Sequence, residues 1–365
     1  MSKRGLITLN CPKCHDNFKK EVWQSINVTI DPDFKKELKD YKFFLHTCPK
    51  CGFEFVSYYN FLYHDMENQF MVSLCDDLIE MSRVIDGFEE SKGELAKHGS
   101  TIKDTRVRVT IDERIFREKI LLFENGFDDR IVEIYKLITI MNAYKMSEKC
   151  GLLVETIYGI DRDSLDFALK RIGKKKDFFG NLSVKVYENI KKDYEKQIIN
   201  EDDYLINAAW AIEKIRETLD KRLLEVYERN LLYECEYLWT YEGYVRRLKD
   251  YVLHNNDDTA FVKFIQIFNH MPVAIPIHKE DGKGTLLLVE TEKGNNYIIA
   301  FINEKTMAKS ECKYDDIINL TVIDALDLVN DTNSAGIILE PFNEPYVFSK
   351  EILEIMLKNM NKKKG

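Results

Sequence analysis

Two four-residue units, Cys11-Pro-Lys-Cys14 and Cys48-Pro-Lys-Cys51, constrain this chain more than any other feature. A Cys-x-x-Cys turn places two thiols where one tetrahedral cation can take both, and Pro after the first Cys supports the turn. Gly52, just past the second pair, gives the backbone the freedom to curl so that amides face the sulfurs. Four thiolates form the closed ligand set of structural zinc, whereas catalytic zinc keeps three protein ligands and an open position. Cys11, Cys14, Cys48 and Cys51 are therefore the expected ligands of a structural Zn2+, and no catalytic residue is expected. The alternative, four free buried thiols, does not account for two matching units. Thirty-three residues separate Cys14 from Cys48, more than the roughly 15–20 common between paired zinc-binding cysteines. A strand pair and a short helix fill such an interval. His15, His46 and His64 lie close enough in sequence to replace a ligand, but read better as surface or hydrogen-bonded histidines.

The remaining composition narrows the class. Eight cysteines in 365 residues are too few for a disulfide scaffold, and clustered thiols fit a reducing, cytosolic setting. There is no apolar run of about 20 residues to span a bilayer and no leader-like start, so no membrane partner is expected. With 62 acidic against 53 basic residues the net charge is −9, which disfavours a binder of duplex nucleic acid. Only 16 Gly and 7 Pro occur, while 21 Phe and 19 Tyr supply core material. That balance argues for helix-rich, compact structure with short loops and against disorder.

Along the chain, residues 5–75 carry strand-like stretches around the cysteines, with a short helix over Asp33–Asp40. Residues 87–104 are polar with scattered Gly and read as a loop. A strand over Arg106–Thr110 leads into a helix from about Asp112, which Asn125-Gly126 closes. Asp128 or Asp129 caps the next helix, whose stripe is Ile131, Ile134, Ile138 and Met141. Residues 152–171 suggest two strands and a turn, and a helix fits the second segment almost as well. From Asp202 the pattern is helical, through Leu205, Ile212, Leu219 and Val226 to the tyrosine stripe Tyr237–Tyr251. Asn255–Asp258 breaks it. Strands over Met271–His278, Gly284–Thr291 and Asn296–Asn303 follow, then a helix around Tyr314–Val329, a strand Ala335–Glu340 and a helix Lys350–Met360. The expected fold class is α+β: a β-rich metal-bearing domain with helices over 1–200, a long helical connector over 201–256 and a compact α+β domain over 257–365.

The segments CPKC, VTIDPDFKKEL, CPKCGFEF and FLYHDMENQFMV resemble the CpXC family of bacterial zinc-ribbon-like proteins. RVTIDERIFREKILLFENGFDDRIVEIYKL resembles its continuation, so the likeness covers at least residues 1–140, and Ala209-Trp210-Ala211 extends it to about 215. The resemblance implies zinc on Cys11, Cys14, Cys48 and Cys51, and implies no reaction. The C-terminal part is similar to the SseB N-terminal domain family through Ala274–Pro276, Ile299–Glu304 and Gly336–Pro341. It departs from that family's pattern at Phe301-Ile-Asn303 and Glu340-Pro341, and the family transfers no catalytic residue.

Weaker features have plainer readings. Cys75, Cys150, Cys235 and Cys312 are scattered singly and read as small buried hydrophobes. Lys174–Lys176 and Lys362–Lys364 read as solvated loops and termini, the tyrosine stripe as a packing face, and Gly282–Thr285 as a hairpin turn. The functional expectation is a non-enzymatic zinc-binding interaction or scaffold protein with a protein partner. The alternatives are a nucleic-acid-associated regulator using the zinc site and an enzyme with a site between domains.

Overall fold

The computed structural model describes residues 2–40, 42–97, 105–147, 152–161, 166–173, 177–200, 203–255, 261, 263–264, 272–280, 283–291, 294–302, 304–308, 310, 312–322, 324–342, 345–354 and 356. The chain divides into two compact units, Met1–Tyr241 and Glu242–Gly365. Helices are combined with strands that form several sheets, so the fold is α+β.

In the first unit, β1 (Lys3–Asn10) and β2 (Asn17–Asn27) form an antiparallel hairpin closed by the Asn10–Asn17 pair. α1 (Phe34–Lys39) follows, then a second, short hairpin of β3 (Leu45–Thr47) and β4 (Glu54–Val56). β5 (Phe61–Asp65), β6 (Phe70–Leu74), α2 (Leu78–Lys97) and β7 (Arg106–Thr110) complete a five-stranded sheet of order β1-β2-β5-β6-β7. The β2–β5 and β6–β7 pairs are parallel, and a parallel pair needs a crossover. α1 with the short hairpin fills the first crossover and α2 the second. The sheet's inner face is aromatic: the buried Phe61 packs on Phe43 and Phe116 and the buried Phe70 on Phe123, with ring centroids 5.1–6.0 Å apart.

α3 (Glu113–Glu124) and α4 (Asp129–Met146) start on true N-caps. The Asp112 carboxylate accepts from the Arg114 and Ile115 N–H groups, and Asp128 accepts from Arg130 N–H. Gly126, at φ 75°, turns the chain between them. β8 (Leu152–Ile160), β9 (Asp166–Gly173) and β10 (Phe178–Ser183) form an antiparallel sheet. α5 (Val184–Ile198), α6 (Ala208–Ile215) and α7 (Lys221–Glu234) finish the unit. α4 lies at its centre, against α5, α6, α7 and β8. Ile131, Val132, Ile134, Leu137 and Ile140 are buried around most of its circumference, as a helix enclosed on every side requires.

The second unit holds α8 (Tyr241–Asn255) beyond its first residue, then β11 (Pro272–Glu280), β12 (Lys283–Leu286), β13 (Leu288–Glu290) and β14 (Asn296–Ala300). α9 (Glu304–Ala308), β15 (Asp316–Thr321), α10 (Ala325–Asp331), β16 (Gly336–Leu339) and β17 (Tyr346–Ser349) follow. Two sheets result, β12-β11-β15 and β13-β14-β16-β17, tied by reciprocal 2.9 Å backbone bonds between Ala274 and Phe301. Gly336 sits where β17 passes so close that a Cβ would meet the Phe348 carbonyl.

Several expectations change. Residues 87–97, expected as loop, continue α2. Its buried face uses Leu78, Met81, Val84, Ile85 and Phe88, packed near Val107 and Val109. The Gly and charged residues that suggested a loop lie on its exposed side or final turns. By contrast, Leu152–Ile160 and Asp166–Gly173 form the two strands expected there, not the helix weighed for the second segment. The helix expected over Tyr314–Val329 is a strand, β15, followed by the short α10, because β15 pairs with β11 in the sheet. The helical run after Asp202 is broken by 3-10 turns at Arg216–Thr218 and Glu236–Leu238. Its first two helices, α6 and α7, pack on α4 and β8 within the first unit. In the tyrosine stripe, Tyr244 and Leu248 are fully buried. Cys150, Lys174–Lys176, Gly282, residues 256–258 and Lys362–Lys364 lie outside the described residues.

Candidate metal centre

Each Cys-Pro-Lys-Cys unit caps one hairpin, between β1 and β2 and between β3 and β4. The two turns are built alike. Cys11 N–H donates to the Asp16 carbonyl at 2.9 Å, and His15 N–H donates back to the Cys11 carbonyl at 2.8 Å. Cys48 N–H donates to the Phe53 carbonyl and Gly52 N–H to the Cys48 carbonyl, both at 2.9 Å. His15 and Gly52, four residues after the leading cysteines, both take left-handed backbone, at φ 57° and 68°. The side chains cross over in the same way. Lys13 lies over the Phe53 ring at 5.7 Å, and Lys50 Nζ pairs with Asp16 Oδ1 at 3.0 Å. Each turn's lysine thus reaches the residue that closes the other turn, an approximate two-fold arrangement.

The four sulfurs fall at the centre of this arrangement. Cys11 Sγ is 3.7 Å from Cys51 Sγ, Cys14 Sγ is 3.7 Å from Cys48 Sγ, and all four lie within 4.8 Å of one another. Zinc–sulfur bonds of about 2.3 Å in a tetrahedron give sulfur–sulfur edges of about 3.8 Å. The cluster can therefore hold a metal ion with little rearrangement. Leu9, Phe55, Ile7 and Phe18 pack against Cys11 and Cys48 and keep that side dry, while Cys51 faces solvent. Residues 9–136 match the family model described as CpXC protein. No curated protein and no solved structure matches the chain.

The matched segment contains all four cysteines, and their thiols do not ionise alike. Burial opposes ionisation of Cys11, but the backbone N–H groups of Cys14 and Lys13 and nearby sulfurs bring its thiol down to about 7. The Asp16 N–H favours the Cys14 thiolate too, yet burial and the three other sulfurs push that thiol up to about 12. One thiolate forms readily here and the next is resisted by its charge. A divalent ion removes that repulsion.

None of the CpXC histidines joins the cluster. His15 is exposed and holds the left-handed position that Gly52 holds opposite it. His46 is buried, with Nε2 3.3 Å from the Ser57 carbonyl and Nδ1 3.1 Å from Lys20 Nζ. Burial and Lys20 lower its pKa, so the neutral ring donates to Ser57 and accepts from Lys20. His64 sits in β5, where burial lowers its pKa. Cys75 and Cys235 are buried away from the cluster, and burial pushes their thiols up to about 12 and about 11. Burial also raises the half-buried Cys312.

A second polar constellation, which the sequence does not announce, starts in the CpXC segment and ends beyond it. Arg108 on β7 grips Asp129 with Nε and Nη2 at 2.7 and 2.9 Å. Lys119 on α3 lies 3.2 Å from Asp129 and 3.0 Å from Glu133. Lys136 on α4 bridges Glu133 at 2.8 Å and Glu118 at 2.7 Å. Glu118 also accepts from Ile157 N–H in β8, and Arg171 in β9 pairs with Glu155. All but Arg171 are buried. Charges buried at this density persist only when paired, so the network locks α3 and α4 to the β8–β9 hairpin.

Proposed function

We propose that this protein is a non-enzymatic interaction or scaffold protein whose N-terminal unit is held by one structural Zn2+ on Cys11, Cys14, Cys48 and Cys51. The observation that carries this reading is the pair of matched turns with sulfurs at tetrahedral spacing. Thiolates suit zinc over magnesium or calcium, and four of them leave no position for a catalytic water. A protein partner is favoured by the outer face of the short hairpin that the metal would fix. There Leu45 and Val56 stand directly opposite each other and both are exposed, as are Phe53 and Tyr58 beside them in sequence. The net charge of −9 speaks against duplex nucleic acid. Thiolate ligation suits a reducing compartment such as the cytosol, and the C-terminal domain is read as SseB-like.

Elemental analysis of native protein tests the reading. About one zinc per chain is expected, and a Cys11→Ser, Cys48→Ser chain should lose it. Zinc retained by that variant, or none in the native protein, would sink the assignment. A Leu45→Asp, Val56→Asp chain should keep its zinc and lose cross-linking to its protein partner. Retention on nucleic acid that collapses as salt rises would favour the regulator instead.

A further inference from the structure

A cavity of about 510 Å³ lies between α3, α1 and the β8–β9 hairpin, within the size range of small-molecule sites. Its floor is apolar, from Leu38, Ile120 and Ile157, all buried. Four cations, Lys39, Arg114, Arg117 and Lys170, line it against two carboxylates, Glu113 and Glu124. Asp112 and Asp177, outside the lining, pair with Arg114 and Lys170. Glu124 is taken up by the Tyr63 hydroxyl at 2.8 Å and by Lys35 at 3.6 Å. Lys39 Nζ stays 3.9 Å from it, too far for a hydrogen bond, and is largely exposed. Arg117 is fixed one residue from Lys39, with Nη2 donating to the Leu38 carbonyl at 3.2 Å and Nε 3.2 Å from Glu113.

The strand wall carries the second observation. A regular strand sends successive residues to opposite faces, yet Thr156, Ile157 and Tyr158 all line this cavity. Thr156 and Ile157 keep regular pairing with Lys170 and Leu169, whereas a bulge between Ile157 and Gly159 leaves Tyr158 outside the register, and bulges commonly re-aim side chains beside sites. The buried Glu118 carboxylate holds the bulge from behind by accepting Ile157 N–H. Tyr158 on the cavity wall is 61% exposed, and Phe179, outside the lining and 68% exposed, has its ring centroid 6.1 Å from that of Tyr158.

We propose that this cavity binds a planar aromatic compound bearing a carboxylate or phosphate group. The ring stacks on Tyr158 above the apolar floor, and the anion meets Lys39 and Arg117. The zinc centre takes no part. The test uses 8-anilinonaphthalene-1-sulfonate fluorescence with the full chain, its Tyr158→Ala, Tyr158→Phe and Lys39→Glu variants, and a Leu288→Ala control in the other unit. Tyr158→Ala and Lys39→Glu should each weaken dye binding about fivefold or more. Tyr158→Phe and the control should leave it unchanged. Tyr158 and Lys39 are exposed, so melting temperatures should stay within a degree or two. Displacement by adenosine 5′-monophosphate would point to a nucleotide source, and displacement by indole-3-acetate alone to an aromatic carboxylate. No dye binding, equal binding by all variants, or displacement by neither competitor would overturn the proposal.

Discussion

His15 and Gly52 hold corresponding left-handed positions in the two Cys-Pro-Lys-Cys turns, and only glycine takes that backbone without strain. Nothing lies within 4 Å of a Cβ added at Gly52. A Gly52→Ala change therefore costs only its backbone conformation, about 1 kcal/mol. His15→Gly should act with the opposite sign, gaining roughly 0.5 kcal/mol once the looser unfolded chain is counted. Urea unfolding of the zinc-loaded protein measures both. Equal losses in the two variants would mean that His15 contributes something its exposed side chain does not show. The clustering of the four cysteines was legible in the sequence because each turn is local: four consecutive residues fix the spacing, and a duplicated motif fixes the pairing. That His15 would mirror Gly52 was not legible, since nothing local marks a histidine for left-handed backbone.

At the scale of elements, the buried network sets the response of α3, α4 and the β8–β9 hairpin to charge. Lys136 satisfies both Glu118 and Glu133. Replacing it with Met leaves the buried Glu118 without a cation and Glu133 with Lys119 alone, a loss of about 3–5 kcal/mol. An exposed pair such as Arg83–Glu80 should matter little by the same urea measurement. The network also predicts a pH dependence. Burial pushes the Glu155 carboxyl up to about 7, against the pull of Arg171. The folded protein then keeps a proton that the unfolded chain releases above about 4.5, so this group's stabilisation is present at pH 5 and lost as pH rises through 7. Glu155→Gln should flatten that fall. Burial opposes ionisation of Asp129 too, but Arg108 and Lys119 hold it well below the usual carboxylate range. Its contribution is lost in the other direction, below about pH 4. None of this was readable from the chain, because Arg108, Asp129, Glu155 and Arg171 sit on separate elements and each passes for a surface charge. The same limit hid β15, whose strand form comes from pairing with β11, and the last turns of α2, whose polar face outweighs its narrow apolar one.

For the whole molecule, the two compact units should respond differently to loss of metal. The short β3–β4 hairpin and the open end of the β1–β2 hairpin bury little beyond the Leu9, Cys11, Cys48 and Phe55 cluster and the His46 ring. So little apolar area cannot offset chain entropy, and on the proposed zinc assignment metal-binding free energy, on the order of 10 kcal/mol for small structural sites, supplies the difference. The aromatic core and the charge network around α3 and α4 have their own contacts and should soften without opening. The second unit has two sheets of its own, and among its described residues no cysteine belongs to the cluster. Hydrogen exchange with and without a strong zinc chelator tests this most directly. The account predicts that residues 5–20 and 45–56 lose protection while residues 272–280 and 336–349 keep theirs. Unchanged protection of both cysteine turns after the metal is gone, or simultaneous opening of both units, would contradict it.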